Sequence, residues 1–292
     1  MNFIKIKSCM KNIFFLVLFS TLLSNTVAKV KLDLKVMTFN IRYDNPDDNL
    51  NNWKYRKEAV TKLIRAENID ILGAQEVLAN QLKDITERLP EYNSIGVGRE
   101  DGIAKGEFSP IFYKKNRFTV IKSGYFWLSE TPETASKGWD AACERIATWA
   151  QLKDKSTGKI IFVLNTHLDH VGTLARQKSV ELLKKNTALL SEGLPQIIMG
   201  DFNADPESTV IKQMLLATDS VELFNSKAVA KKVYGSAWTF NGFGTIAIND
   251  RQIIDYIFVN KAVSVREHSI APEIANDKFL SDHSAVFIKV SI

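Results

Sequence analysis

The sequence predicts an α/β fold in which two mixed β-sheets pack face to face with helices on their outer sides. Three observations carry the prediction. Strand and helix patterns alternate early in the chain, strand patterns dominate the middle, and strands return at the end. No repeat, low-complexity tract or Pro/Gly/Ser-rich linker divides the 292 residues, so a single domain is expected over residues 29–292. A parallel β/α barrel, the competing arrangement, needs a helix after each strand, and the middle of this chain does not supply them.

The elements follow from the spacing of apolar residues. Leu32 to Phe39 reads as a strand ending at Asn40. Trp53 to Asn68 reads as a helix, with Val60, Leu63 and Ile64 on one face. Ile69 to Ala74 is a buried strand ending at Gln75-Glu76, and Gln81 to Leu89 is a helix stopped by Pro90. Ser109–Tyr113, Phe118–Leu128, Arg145–Lys153 and Lys159–Thr166 are rich in β-branched and aromatic residues and read as strands. Lys155-Ser156-Thr157-Gly158 is the turn between the last two. A long helix is expected from Thr173 to Leu190. The apolar run Ile197-Ile198-Met199 then leads into Gly200-Asp201-Phe202-Asn203. Asp205-Pro206 reads as the cap of a further helix whose apolar face is Val210, Ile211, Met214 and Leu215. Ile253–Val259, Val263–Ile270 and Ala285–Val290 complete the strands.

The first 28 residues lie outside this scheme. Lys5, Lys7 and Lys11 precede an apolar run from Ile13 to Leu23, and Thr26-Val27-Ala28 offers a cleavage site. This is the pattern of a secretory signal peptide, so an exported protein is expected, in the periplasm or outside the cell. The apolar run is short for a membrane span. The formal charge of +5 falls by three when these lysines are set aside, so the basic balance says little about nucleic acid. Beyond the leader Cys143 is the one cysteine. It excludes an internal disulfide and a thiolate zinc site, and reads as a lone buried thiol.

Five strands end, or begin, in polar residues that a core does not require: Asn40; Glu76; Asn165, His167 and Asp169; Asp201 and Asn203; and Asp255. Ser281-Asp282-His283 opens the last strand. Side chains two apart on a strand share a face, so Asp201 with Asn203, and Asn165 with His167 and Asp169, are expected to point together. Each residue also has a plain structural use, as a cap, a turn former or a satisfied core group. Asp255 resists that reading, because a carboxylate inside an apolar run is costly unless paired. Together the groups form an oxygen-rich set suited to Mg²⁺ or Mn²⁺. His283 oriented by Asp255 can take a proton from water. His167, oriented by another acid, can bind phosphate as an imidazolium.

Six segments in order carry a resemblance: Met37-Thr38-Phe39-Asn40-Ile41-Arg42, Gln75-Glu76, Asn165-Thr166-His167-Leu168, Gly200-Asp201-Phe202-Asn203, Ile254-Asp255-Tyr256 and Ser281-Asp282-His283. They resemble the motifs of the endonuclease/exonuclease/phosphatase superfamily, the deoxyribonuclease I-like proteins, over essentially the whole chain after the leader. The resemblance implies a four-layer α/β sandwich and Mg²⁺-dependent hydrolysis of a phosphate ester. It implies Glu76 as the principal metal ligand, with Asn40 and Asp282 near the metal or phosphate. It implies His283 as general base paired with Asp255, and Asp201 and Asn203 as residues that position the nucleophile and phosphate. Glu107 is similar in position to a glutamate that orients the histidine matched by His167, and Arg145 resembles a phosphate-binding arginine. Asp169-His170, Phe126-Trp127-Leu128-Ser129-Glu130-Thr131-Pro132 and Trp139-Asp140 are similar to a bacterial subgroup. There Asp169 has three possible uses: a second metal, a substrate hydroxyl, or a buried hydrogen bond.

The substrate expected is a phosphodiester or phosphomonoester of modest size, with a sugar, lipid headgroup or base in a pocket lined by aromatics such as Phe126, Trp127, Trp139 and Trp149. The same aromatics have an equal claim to be core. Lys114-Lys115, Lys184-Lys185 and Lys231-Lys232 raise a second possibility, a non-specific nuclease. A catalytically silent binding protein of the same fold is a third. No protein partner is indicated, and a monomer is expected.

Overall fold

The computed structural model describes residues 30–275 and 277–292, and the expected signal peptide, 1–28, lies outside them. Lys31–Ile292 forms one compact unit. The strands in chain order are β1 (Asp33–Asn40), β2 (Ile71–Gln75), β3 (Tyr92–Ile95), β4 (Ile111–Lys114), β5 (Phe118–Trp127), β6 (Ile146–Asp154), β7 (Ile160–His167) and β8 (Gln196–Asp201). They continue with β9 (Phe224–Asn225), β10 (Lys232–Tyr234), β11 (Asp255–Val259), β12 (Ser264–Ile270), β13 (Ile274–Ala275), β14 (Lys278–Phe279) and β15 (Val286–Ser291). The helices are α1 (Trp53–Ala66), α2 (Ala79–Arg88), α3 (Thr173–Ser191), α4 (Thr209–Leu215) and the single turn α5 (Ser226–Val229).

Two large open sheets form, in the orders β10-β12-β15-β1-β2-β4-β3 and β5-β6-β7-β8-β11-β9, and β13 pairs with β14 apart from them. Neither large sheet closes on itself, so the barrel is not adopted. Both are mixed: β1 runs parallel to β2 and antiparallel to β15, while β7 runs parallel to β8 and β11 antiparallel to it. The alternation along each strand sorts its residues between two cores. Val36, Ile71, Val163, Ile197, Ile257 and Ile288 meet between the sheets. Phe39 and Leu72 face outward onto Val60 and Ile64 of α1 and Ile85 of α2. Phe162 and Ile198 face Val180 and Leu183 of α3 and Ile211 of α4. The result is the four-layer α/β sandwich.

Local chemistry corrects one boundary. Helix α4 is capped by Ser208, whose hydroxyl accepts from the Ile211 amide at 3.3 Å. Asp205 instead holds the preceding turn, accepting from the Glu207 amide. Leu215, expected on the apolar face, is exposed. The turn after β6 is fixed by the buried Asp154, whose Oδ1 accepts from both the amides and the hydroxyls of Ser156 and Thr157. Among the described residues no helix is long and apolar enough to cross a membrane.

The parallel pairs decide where chemistry is possible. Asn40 registers with Gln75 and His167 with Asp201, so β1 and β2, and β7 and β8, end on one edge of their sheets. Antiparallel β11 begins there, with Asp255 opposite Asp201.

Candidate active site

That edge holds a cavity of about 440 Å³. Its floor is built by the Gly200–Asn203 segment. Gly200 has φ +154° and an added Cβ would lie 2.1 Å from the Thr166 carbonyl oxygen, so only glycine lets β7 and β8 approach so closely. Phe202 is fully buried against Tyr256 and Phe258, and its amide donates to the Ile254 carbonyl. With the residue between them anchored, Asp201 and Asn203 both reach the cavity. The alternation expected for a strand is not the reason. Strand β8 stops at Asp201, and Asn203 sits in a left-handed turn with φ 46°, its amide donating to Asp201 Oδ1 at 2.9 Å.

His283 lies between two carboxylates. Its Nδ1 is 2.9 Å from Asp255 Oδ2, and its Nε2 is 3.7 Å from Asp201 Oδ2. Phe240 stacks on the ring at 4.8 Å. Burial alone would hold the imidazole down, but Asp255 and then Asp201 carry it well above its ordinary value. Burial, then the charge of Asp255, pushes the Asp201 carboxyl up to about 7. The two groups act on each other: Asp201 adds to the rise of His283, and His283 in turn draws the Asp201 carboxyl down. Asp255 is held by its own amide, which donates to Thr239 Oγ1, and its Oδ1 has no partner.

Asn40 ties the two halves together. Its Nδ2 donates to Glu76 Oε1 at 3.0 Å and Asp201 Oδ2 at 2.9 Å, while its Oδ1 accepts from the Arg42 amide. Glu76 has φ 59°, uncommon for a side chain of its size. The turn is held by its Oε2, which accepts from the Tyr43 amide at 3.0 Å. Asp282 stands on the other side of Arg42, whose Nη1 is 4.0 Å from Glu76 Oε2 and 3.8 Å from Asp282 Oδ2. Burial, followed by the opposing pulls of His283 and Glu76, raises the proton affinity of Asp282 above the usual carboxylate range.

This carboxylate pair is under-compensated, since Arg42 is already engaged bidentately by Asp48. Two carboxylates that share a single, distant arginine fit a hard divalent cation held by Glu76 and Asp282. Asn40, with its oxygen committed to Arg42, positions Glu76. Two further clusters hold candidate ligand atoms within 4.8 Å, Asp201–Asp255–His283 and Cys143–Asp169–His170. In the first, Nδ1 is already bonded to Asp255. In the second, the Arg145 guanidinium occupies the space, bonded to Asp169 and 2.9 Å from His170 Nδ1.

The remaining expected residues divide. His167 lines the cavity, its Nε2 3.1 Å from Asn203 Nδ2 and 3.5 Å from Asp201 Oδ2. Burial, then Arg145 and Arg99, push it well below its ordinary value, so it is neutral at neutral pH and not the imidazolium expected. Glu107 does not bond to it: the nearest approach to His167 Nδ1 is 3.8 Å, and Glu107 instead accepts from Arg99 at 2.6 Å. Arg145 lines the cavity as expected. Asp169 is buried behind it, accepting from the Ala142, Val171 and Gly172 amides. Those amides and Arg145 overcome its burial and hold it well below the usual carboxylate range, so of its three expected uses the buried hydrogen bond is the one seen.

Asn165, expected to point with His167 into the site, does not reach the cavity. It is fully buried between the sheets, donating to the Ala74 and Pro110 carbonyls and accepting from Gln75. Residues of β7 do alternate, but Asn165 lies where the strand is still covered on both faces. Phe126, Trp127 and Trp149 pack into or against the core, and the aromatic wall comes instead from Tyr43 and Phe240. Cys143 is half-buried at the cavity wall, its Sγ 3.7 Å from Asp169 Oδ2. Arg42, Tyr43, Arg99 and Phe240 were not singled out by pattern, because each is one residue on a loop with no periodicity to mark it.

Such an arrangement fits one kind of chemistry, hydrolysis of a phosphate ester, on one kind of scaffold, the paired-sheet α/β sandwich. The chain belongs to the Endonuclease/Exonuclease/phosphatase family, whose sequence pattern matches residues 37–283. Members are phosphoester-cleaving hydrolases that generally use a divalent metal. An endonuclease/exonuclease/phosphatase from Bacteroides vulgatus is 43% identical, with a TM-score of 0.84 over 89% of this chain and 98% of that one. The mannosyl-6-phosphatase of Bacteroides thetaiotaomicron is 35% identical, with a TM-score of 0.82 over 88% and 99%. TDP2 of D. rerio, seen with a single-stranded DNA product, is 15% identical with a TM-score of 0.68 over 88% and 98%, and shares the fold. Among curated sequences, an uncharacterized protein of Acanthamoeba polyphaga mimivirus is 28% identical over 168 residues, which covers 52% of this chain and 60% of that protein.

Proposed function

We propose that the protein is an exported phosphohydrolase of small phosphate esters, with sugar phosphates the first candidates, that works with Mg²⁺ and accepts Mn²⁺. The observation that carries the reading is the cavity itself: Glu76, His167, Asp201, Asn203, Asp282 and His283 all line one cleft of modest size. A bound divalent cation would polarise a phosphoryl oxygen and offset its developing charge. The protein's own groups do the rest. The Asp201–His283 pair takes one proton from the attacking water, Asp255 holds the His283 ring, and Asn203, donating to Nε2 of neutral His167, leaves that ring's Nδ1 for the phosphate. Likeness to the mannosyl-6-phosphatase supports a sugar phosphate, and the leader pattern at residues 1–28 supports export.

The nuclease reading draws less support. A nuclease needs a basic track for the backbone, and none of the three lysine pairs lines the cavity. Lys114 is engaged by Asp70 and Asn68, and Lys184 by carbonyls at the end of α4. The intact set of polar groups also speaks against a silent binding protein. The test is phosphate release from sugar phosphates, inositol phosphates, lipid headgroup esters and plasmid DNA, with Mg²⁺ and with a chelator. Cleavage of DNA alone would sink the small-ester reading.

A further inference from the structure

Three buried N–H groups on the cavity wall have no hydrogen-bond partner: Arg99 Nε, Arg145 Nη1 and His167 Nδ1. Orphaned donors are rare in folded proteins because each forfeits a hydrogen bond to water, and a charged one forfeits more. Here all three residues line the same cavity.

The arginines are also rigid. Arg99 donates from Nη1 to Glu107 Oε2 at 2.6 Å, its amide donates to the Glu107 carbonyl, and its own carbonyl accepts from the Trp127 indole at 2.7 Å. The loop that follows is closed by Asp101, whose Oδ1 accepts from the amides of Ile103, Ala104 and Lys105. At Gly98, just before Arg99, an added Cβ would lie 2.3 Å from the Lys105 carbonyl oxygen, so the hairpin admits only glycine. Arg145 is pinned by Asp169 and His170. Each guanidinium is thus held by some of its nitrogens and keeps one without a partner, Nε on Arg99 and Nη1 on Arg145. Pre-organised, unsatisfied donors of this kind mark a place built for an acceptor-only ligand.

We infer that Arg99, held by Glu107, and Arg145 form a seat for a terminal phosphate oxygen, which makes the enzyme selective for phosphate monoesters over diesters. The inference rests on the proposed phosphohydrolase reading and names its substrate class. A monoester carries three non-bridging oxygens. One would serve the Glu76–Asp282 side with its cation, one His167 Nδ1, and the third remains for the arginine seat. A diester has two, and its second ester carbon would leave the arginine donors unpaired. Sites built to hydrogen-bond a group reject analogues that lack it far more strongly than apolar pockets reject a missing methylene. Glu107 is thereby a positioning residue for Arg99 and not for His167.

The experiment compares a monoester, p-nitrophenyl phosphate, and a diester, bis-p-nitrophenyl phosphate, in wild type, Arg99→Gln and Arg99→Lys, each with Mg²⁺. Inorganic phosphate binding is followed by calorimetry on the same proteins. Arg99→Gln is expected to lose about ten- to a hundredfold in kcat/KM for the monoester, the worth of a charged hydrogen bond, and less than about threefold for the diester. Phosphate binding is expected to weaken about tenfold or more, with Arg99→Lys between the two. An equal loss on both esters, or phosphate affinity unchanged in Arg99→Gln, overturns the seat. If wild type cleaves neither ester, the function reading fails, and the phosphate titration alone decides the seat.

Discussion

Replacing Asp255 by Asn is the most discriminating perturbation of the site. The substitution keeps shape and removes only charge from a residue 2% exposed. In the native protein His283 Nδ1 donates to Asp255 Oδ2 at 2.9 Å. Exchanging a charged acceptor for a neutral one lowers the worth of that bond from about 1.5–3 to about 0.5–1.5 kcal/mol. The difference, about 1–2 kcal/mol, corresponds to a loss of about five- to thirtyfold in rate. If the amide turns its NH₂ toward Nδ1 the ring changes tautomer as well, and in a serine-protease triad the matching change costs about 10⁴ in kcat. A loss in kcat between these bounds, with KM little changed, is therefore expected. The proton affinity of the Asp201–His283 pair should fall too, since Asp255 raises both members. Its limb in the pH–rate profile should move to lower pH. The assay is steady-state phosphate release from pH 5 to 9, on protein shown to be folded by circular dichroism. Wild-type kcat and an unmoved limb would refute the role given to Asp255.

Three further outcomes are expected. Gly73→Ala places a Cβ 2.6 Å from Asn165 Oδ1 and 2.9 Å from Met199 Cε of the facing sheet; urea unfolding should show a loss of about 1–3 kcal/mol, and unchanged stability would mean the sheets part easily. Burial, then Lys227, holds His268 at about 4, below its unfolded value of about 6.5. Its contribution is therefore full above pH 6.5 and lost as pH falls toward 4, which amounts to about 2 kcal/mol less stability at pH 5 than at pH 7; His268→Gln should flatten that slope, and an unchanged slope would exonerate the residue. Asp169→Asn removes the charge that holds Arg145, and should cut kcat/KM about tenfold or more while weakening inorganic phosphate binding; wild-type phosphate affinity would count against the positioning role.

Much of this site was legible because its residues sit where chain patterns change. Asn40, Asp201 and His167 each end an apolar run, and strands that run in parallel deliver such residues to one edge. Asp255 was legible through the cost of a buried charge. Asn165 misled because alternation assigns a face and not a depth: the same face of β7 is sealed between the sheets at Asn165 and open at His167. Arg99 and Phe240 were invisible, since a lone side chain on a loop becomes part of a site only through tertiary contact. The short edge strands β3, β9, β10, β13 and β14 escaped for a related reason. Two to four residues cannot establish a period, and neighbouring strands alone give them their pairing.

The central claim is that this edge hydrolyses phosphate esters with a divalent cation, through Asp201 and His283. Its most direct test is phosphate release from a sugar phosphate by wild type and His283→Ala, with Mg²⁺ and with chelator. Release by wild type that needs Mg²⁺ and falls about a thousandfold in His283→Ala is the predicted result. Equal release by both proteins, or release undiminished by chelator, would contradict it.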